Sequence, residues 1–151
     1  MEINMIRKIC RDDRETYITL AKEFYRSGVT LEVIDTKNIE ITFDELMRSD
    51  TYAEGYIIEY DGNTAGFALL AKTFSQEAGG MVIWLEELYV KPELRGKGLG
   101  SEFFDYLEKN MDSSVKRIRL EVEEENTRVV KLYERMGFKM FAYDQMVKEY
   151  K

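Results

Sequence analysis

Two adjacent carboxylates, Glu86 and Glu87, stand in an otherwise apolar run, Trp84-Leu85-Glu86-Glu87-Leu88-Tyr89-Val90. Burial in such a strand raises a carboxylate's pKa and makes it a usable general base. Strict alternation would put the two on opposite faces, so that one of them serves the chemistry. Arg117 and Arg119 on a nearby predicted strand offer the same carboxylates another role, as ion-pair partners. The run leads through Lys91 and Pro92 into Arg95-Gly96-Lys97-Gly98-Leu99-Gly100, which opens an amphipathic helix. Glycines allow close approach of main chain to a ligand, and the first N–H groups of a helix, with its dipole, form an anion site suited to a pyrophosphate. Arg95 and Lys97 add positive charge there.

What is missing narrows the chemistry further. The chain contains no histidine. Ser–His and Cys–His pairs, histidine bases and HExxH metal sites are therefore excluded. Cys10 is the single cysteine, which excludes an internal disulfide and a multi-cysteine zinc site; it reads as a small apolar core residue on a strand. No metal is expected. The glycine spacing fails the Walker pattern, because Gly98 stands where serine or threonine is required after Lys97. It also fails GxGxxG, since the glycines fall at 96, 98 and 100.

The elements that must carry these residues follow from periodicity. Met5–Arg11 reads as a strand, stopped by Asp12-Asp13, which can cap a following helix. Tyr17, Leu20, Ala21 and Phe24 recur at helical spacing, and Gly28 ends that helix. Thr42-Phe43-Asp44-Glu45 fits a capping box opening a short helix through Leu46 and Met47. Glu54–Tyr60 and Thr64–Thr73 alternate about Asp61-Gly62-Asn63, a hairpin signal. Ser75–Gly80 is a loop into the strand Met81–Val90. Leu99, Phe103, Leu107 and Met111 form the stripe of the next helix. Val115–Val122 is a strand, Asn126 caps a helix with Val129, Val130, Leu132, Tyr133 and Met136, and Gly137 ends it. Phe138–Tyr143 and Gln145–Tyr150 read as two closing strands. The predicted fold is a mixed α/β (α+β) layer in a single domain, 1–151. Its early strands are antiparallel, and a strand–helix–strand crossover sets a parallel pair at the centre.

Within that frame the sequence resembles the GNAT superfamily of N-acetyltransferases. The pattern [RQ]xxGx[GA] after an LxV strand end is met by Leu88-Tyr89-Val90, Pro92 and Arg95–Gly100. A second match, Glu121-Val122, Asn126, Leu132-Tyr133 and Gly137-Phe138, follows at the right separation. The resemblance implies a mixed central sheet with helices on both faces and acetyl-coenzyme A as cosubstrate. The pantetheine arm would pair with the main chain of Leu88, Tyr89 and Val90. The pyrophosphate would rest on the N–H groups of Arg95, Gly96, Lys97, Gly98, Leu99, Gly100 and Ser101. Asn126 matches a cofactor contact, and Tyr133 matches the acid that protonates the departing thiolate. The resemblance also implies direct attack by an amine, on an acceptor site built from the first two helices and the Ser75–Gly80 loop. Tyr25, Tyr52, Tyr56, Tyr60 and Phe74 are candidate pocket aromatics or plain core.

An amine with a pKa of ~10.4 is only about 0.04% neutral at pH 7, equivalent to roughly 4.6 kcal/mol of deprotonation. A base is needed, and the likeness of Leu85–Val90 to the corresponding run of polyamine-type acetyltransferases favours Glu86, with Glu87 in reserve. The net charge of −7, from 29 acidic and 22 basic residues, opposes nucleic-acid binding and attracts a cationic small molecule or a basic peptide. Polyamines and amino sugars head that class; peptide amines belong to it. No apolar run approaches the ~20 residues of a membrane span, and the N-terminus lacks a signal peptide's apolar segment, so a cytoplasmic protein without membrane association is expected. Homodimers are common in the family, and the closing strands offer an edge for one. The alternative function is a non-catalytic acyl-coenzyme A sensor on the same fold.

Overall fold

The computed structural model describes residues 4–28 and 33–150, which divide into two compact units, the first ending at Leu120 and the second beginning at Glu121. In the first unit, β1 (Asn4–Lys8), β2 (Ala53–Tyr60), β3 (Asn63–Ser75), β4 (Gly80–Val90) and β5 (Val115–Leu120) form one sheet in the order β1-β2-β3-β4-β5. The first four pair antiparallel, and β4 pairs parallel with β5. The hairpin between β2 and β3 turns at Asp61 and Gly62, both with positive φ (51° and 78°), the conformation that a tight two-residue turn requires.

Helices α1 (Arg14–Arg26) and α2 (Thr36–Arg48) cover one face. Tyr17, Leu20, Ala21 and Phe24 of α1 are all buried and join Ile39, Phe43 and Leu46 of α2 over Ile57, Phe67 and Tyr89 of the sheet. The helical stripe read from the sequence is thus the face that packs. Helix α3 (Leu99–Asn110) covers the opposite face. Its Phe103 is fully buried, 5.8 Å from the ring of Tyr56 on β2. Met111, the fourth residue of the predicted stripe, falls just past the helix and is exposed.

Three local expectations are corrected. Thr42 does not open a helix, because α2 already begins at Thr36, where the carboxylate of Asp35 accepts from the N–H of Lys37. The Thr42 hydroxyl donates to the carbonyl of Asn38 one turn back. Asp13 does not cap α1 with its side chain; its carboxylate accepts from the N–H of Cys10 and from both Nη atoms of Arg7. Cys10 is exposed rather than core. β1 ends at Lys8, and Ile9 takes the buried place instead.

In the second unit, α4 (Thr127–Arg135) is capped by Asn126, whose side chain accepts from the N–H of Val129. Gly137, at φ 98°, turns the chain out of the helix, and the N–H of Phe138 returns to the carbonyl of Tyr133. Residues 138–150 carry no strand, which corrects the two closing strands. Alternating apolar residues make a strand only within a ladder, and no ladder includes this segment. Among the described strands β5 is therefore an edge.

Candidate active site

The two glutamates lie at an irregularity that alternation does not foresee. Leu69 of β3 pairs with Glu87, yet its neighbour Leu70 pairs with Leu85, so Glu86 is an extra residue in β4. Such a bulge bends the strand and re-aims its side chains. Phe67 pairs with Tyr89 on the α1–α2 face. One alternation along, Glu87 shares that face. The hydroxyl of Tyr25, in the last turn of α1, donates to Glu87 Oε2 at 2.5 Å. Glu87 is half-buried, whereas Glu86 is exposed. Burial pushes the Glu87 carboxyl above the usual carboxylate range; Tyr25 draws it back, and the charge of Glu86 pushes it further up. That last effect places the two carboxylates within electrostatic reach of each other.

The bulge coincides with the end of the β5 pairing. β5 pairs with β4 over Met81–Leu85, so among the described residues Glu86–Val90 have β3 as their ladder partner. Their other edge is the one to which an extended chain can add. Leu88 is half-buried and Tyr89 is core, its ring 6.2 Å from Phe24 and its hydroxyl donating to Glu23. What this segment offers a ligand is main chain.

Past Val90, a short turn at Pro92–Leu94 leads into the glycine loop. Gly96 and Gly98 both have φ 79°, and a Cβ built on either meets nothing within 4 Å. The glycines are required by backbone conformation, and the loop presents bare main chain to its surroundings. Gly98 is the N-cap of α3 and supplies no capping side chain. The N–H groups of Leu99, Gly100 and Ser101 thus start the helix without intrahelical acceptors. Leu99 itself is 2% exposed, so its side chain anchors the helix while its N–H lies at the cradle. Arg95 turns back, Nε donating to the carbonyl of Val90 at 2.9 Å. Lys97 Nζ lies 5.2 Å from the ring centre of Tyr60. A cradle of this kind fits the phosphates of acetyl-coenzyme A.

Asn126 and Tyr133 belong to the second unit, where they cap and line α4. The ring of Tyr133 meets Phe138 edge-on at 5.7 Å, and burial raises its phenol pKa, keeping it protonated. The candidate pocket aromatics do not converge. Tyr25 reaches Glu87, whereas Tyr56 faces α3 and donates to Glu54, and Tyr52 and Phe74 are largely exposed. Arg117 pairs with Glu77, and Arg119 stacks on Trp84 with Cζ 4.0 Å from the ring centre. The partnership of Tyr25 with Glu87 was not readable in the sequence. Its one signal is that Tyr25 adjoins the buried stripe of α1 at Phe24.

A mixed sheet whose fourth strand bulges at paired acids and runs into a glycine-opened helix fits an acyl-coenzyme A-dependent transferase. The family model described as "Acetyltransferase (GNAT) family" matches residues 11–138. The chain belongs to that family. It is 30% identical over 83 residues to the spermine/spermidine N(1)-acetyltransferase of Bacillus subtilis (strain 168), covering 52% of this chain and 55% of that one. It is 41% identical over 59 residues to the thialysine N-epsilon-acetyltransferase of Bos taurus, covering 38% and 35%. The chain spans about half the length, or less, of these curated relatives. In fold it matches a possible acetyltransferase from Clostridium difficile 630, with TM-score 0.84, 19% identity and 99% of each chain covered. It also matches the aminoglycoside N-acetyltransferase AAC(6')-Iy in complex with CoA, with TM-score 0.79 and 18% identity over 99% and 96% of the two chains. Among the described residues no helix is long and apolar enough to cross a membrane.

Proposed function

We propose that this protein transfers an acetyl group from acetyl-coenzyme A to a primary amine of a cationic small molecule or peptide by direct attack, with Glu87 as the base. The observation that carries this reading is the setting of Glu87. It is half-buried beside the strand bulge, held by Tyr25, and raised in pKa, on the strand that leads into the glycine cradle. Acetyl-coenzyme A, when bound, supplies the thioester carbonyl that the amine attacks. The main chain of Leu88–Val90 would align the pantetheine arm, and the N–H groups from Arg95 to Ser101 would hold the pyrophosphate, with Asn126 as a further contact. Glu87 would take the proton that the ammonium must lose before its nitrogen can attack. The Tyr133 phenol would give a proton to the departing sulfur. Glu86, exposed beside Glu87, would add negative charge that attracts a cationic acceptor. The relatives named for spermine, spermidine and thialysine support an acceptor of that charge, as does the net charge of −7.

The test is coenzyme A release across a panel of polyamines, amino acids, amino sugars and short peptides. Glu87→Gln should lower kcat/KM on the preferred amine by about 10²–10⁴-fold, the span of general-base catalysis. Glu86→Gln should cost about tenfold or less, mostly in KM. The reverse order would return the base to Glu86.

A further inference from the structure

Tyr25 does more than fill the sheet face. Its hydroxyl reaches from the last turn of α1 across to β4, 62 residues away in sequence, and donates to Glu87 Oε2 at 2.5 Å. The ring is held edge-on to buried Phe24 with centroids 5.1 Å apart, so the hydroxyl has little freedom to swing. Among the described residues Tyr25 is the hydrogen-bond partner of Glu87, which leaves Oε1 unengaged. Neighbouring Tyr89 makes a second link of the same kind in the reverse direction, donating from β4 to Glu23 on α1 at 3.2 Å. Two tyrosine–carboxylate links therefore tie α1 to β4 at the bulge.

We propose that Tyr25 is a positioning residue for acyl transfer: it pins one oxygen of Glu87 and thereby presents the other to the acceptor ammonium. This rests on the reading of Glu87 as the base. Tyr25 transfers no proton. The ammonium gives its proton to Glu87 Oε1, the N–H electron pair stays on nitrogen, and the Tyr25 O–H bond is kept throughout. The groups facing Glu87 are Tyr25 and Tyr17 from α1, Glu86 on its own strand, and apolar Leu69 across on β3. Tyr25 is the group whose contact holds the charged carboxylate in place; burial and Glu86 oppose that charge. A hydrogen bond to a charged group is among the stronger polar contacts.

The experiment is a carbon-13 NMR titration of glutamate carboxyls in the full chain, the Glu87 signal being identified by its loss in Glu87→Gln. In Tyr25→Phe, which keeps the ring and its packing, Glu87 should titrate at higher pH than in the parent. In Tyr89→Phe, which cuts the neighbouring link, the Glu87 titration should stay in place. Acetyl transfer by Tyr25→Phe, on an amine the panel identifies, should fall roughly tenfold near pH 6 and less than about twofold near pH 9. An unmoved Glu87 titration in Tyr25→Phe overturns the proposal, as does an equal shift in Tyr89→Phe, which would signal displacement of α1 as a whole. Undiminished transfer by Glu87→Gln would instead remove the reading of Glu87 as base, whatever Tyr25 does.

Discussion

A carboxylate becomes a base for an ammonium only if its surroundings lift its proton affinity toward the working pH, and burial does this for Glu87. Glu87 is raised by burial and by the charge of Glu86; Glu86 itself is exposed. Because the base must be ionised, kcat/KM should fall on the acid side at a pH above the ordinary glutamate range of about 4.3. The proposed acid, Tyr133, acts in its protonated form, and burial raises its pKa, so loss of that acid should begin only above the ordinary tyrosine value of about 10. A pH–rate profile checks both limbs, and an acid limb absent in the parent would remove Glu87 from the reaction. Both acids are conspicuous in the sequence as charges in an apolar strand. Alternation separates them by face without saying which face holds the chemistry, and the family likeness favoured Glu86, whereas burial and the Tyr25 contact fall on Glu87. An extra residue in β4 is a property of pairing with β3, and β4's own sequence does not contain it.

At the scale of elements, the glycine loop was legible because its residues answer to local backbone geometry. Gly98 has φ 79° at a helix N-cap with open space around it. Gly98→Ala therefore meets no clash, and its cost is the left-handed backbone, about 1–2 kcal/mol. We expect that loss in denaturant unfolding, together with weaker coenzyme A binding by calorimetry, since the added methyl stands before the cradle. Destabilisation with unchanged coenzyme A affinity would mean that the loop is a connection only. Other local signals were misleading for a physical reason. Thr42-x-x-Glu45 has capping-box composition, but a longer helix capped by Asp35 absorbs it and turns the threonine hydroxyl to Asn38. Residues 138–150 have strand-like alternation but no ladder. Periodicity specifies which faces can be buried, and a neighbouring edge decides whether a strand forms.

Among the described residues, the buried apolar side chains run from Ile9 to Leu107, all within the first unit. Arg7 of β1 ties that unit's layers together, meeting Asp13 ahead of α1 at 2.8 Å and Glu59 of β2 at 2.5 Å. Asp13 is 7% exposed, and Arg7 lowers its pKa to about 2. A folded-state value below the unfolded one contributes stability at pH above about 4, lost as pH falls toward about 2. Its size is about 2 kcal/mol. Asp13→Asn should thus destabilise the protein by about that much at pH 7, and the difference from the parent should close near pH 2. An equal gap at both pH values in urea unfolding would refute the linkage. The order of elements as far as α4, the antiparallel strands and the parallel pair were readable from periodicity and turn residues; the two closing strands expected after α4 do not form, and the family motifs singled out the loop proposed for the cofactor. The acceptor side was less readable, because α1 meets β4 through contacts far apart in sequence, such as Tyr25 with Glu87. In the proposed reaction acetyl passes directly from acetyl-coenzyme A to an amine. This transfer is tested most directly by supplying acetyl-coenzyme A with an isotope-labelled acetyl group and the amine panel, then weighing acceptor and intact protein by mass spectrometry. The labelled acetyl is expected on the nitrogen of a cationic amine, with none on the protein. Bound acetyl-coenzyme A left intact before every amine, or label held covalently on the chain, would contradict it.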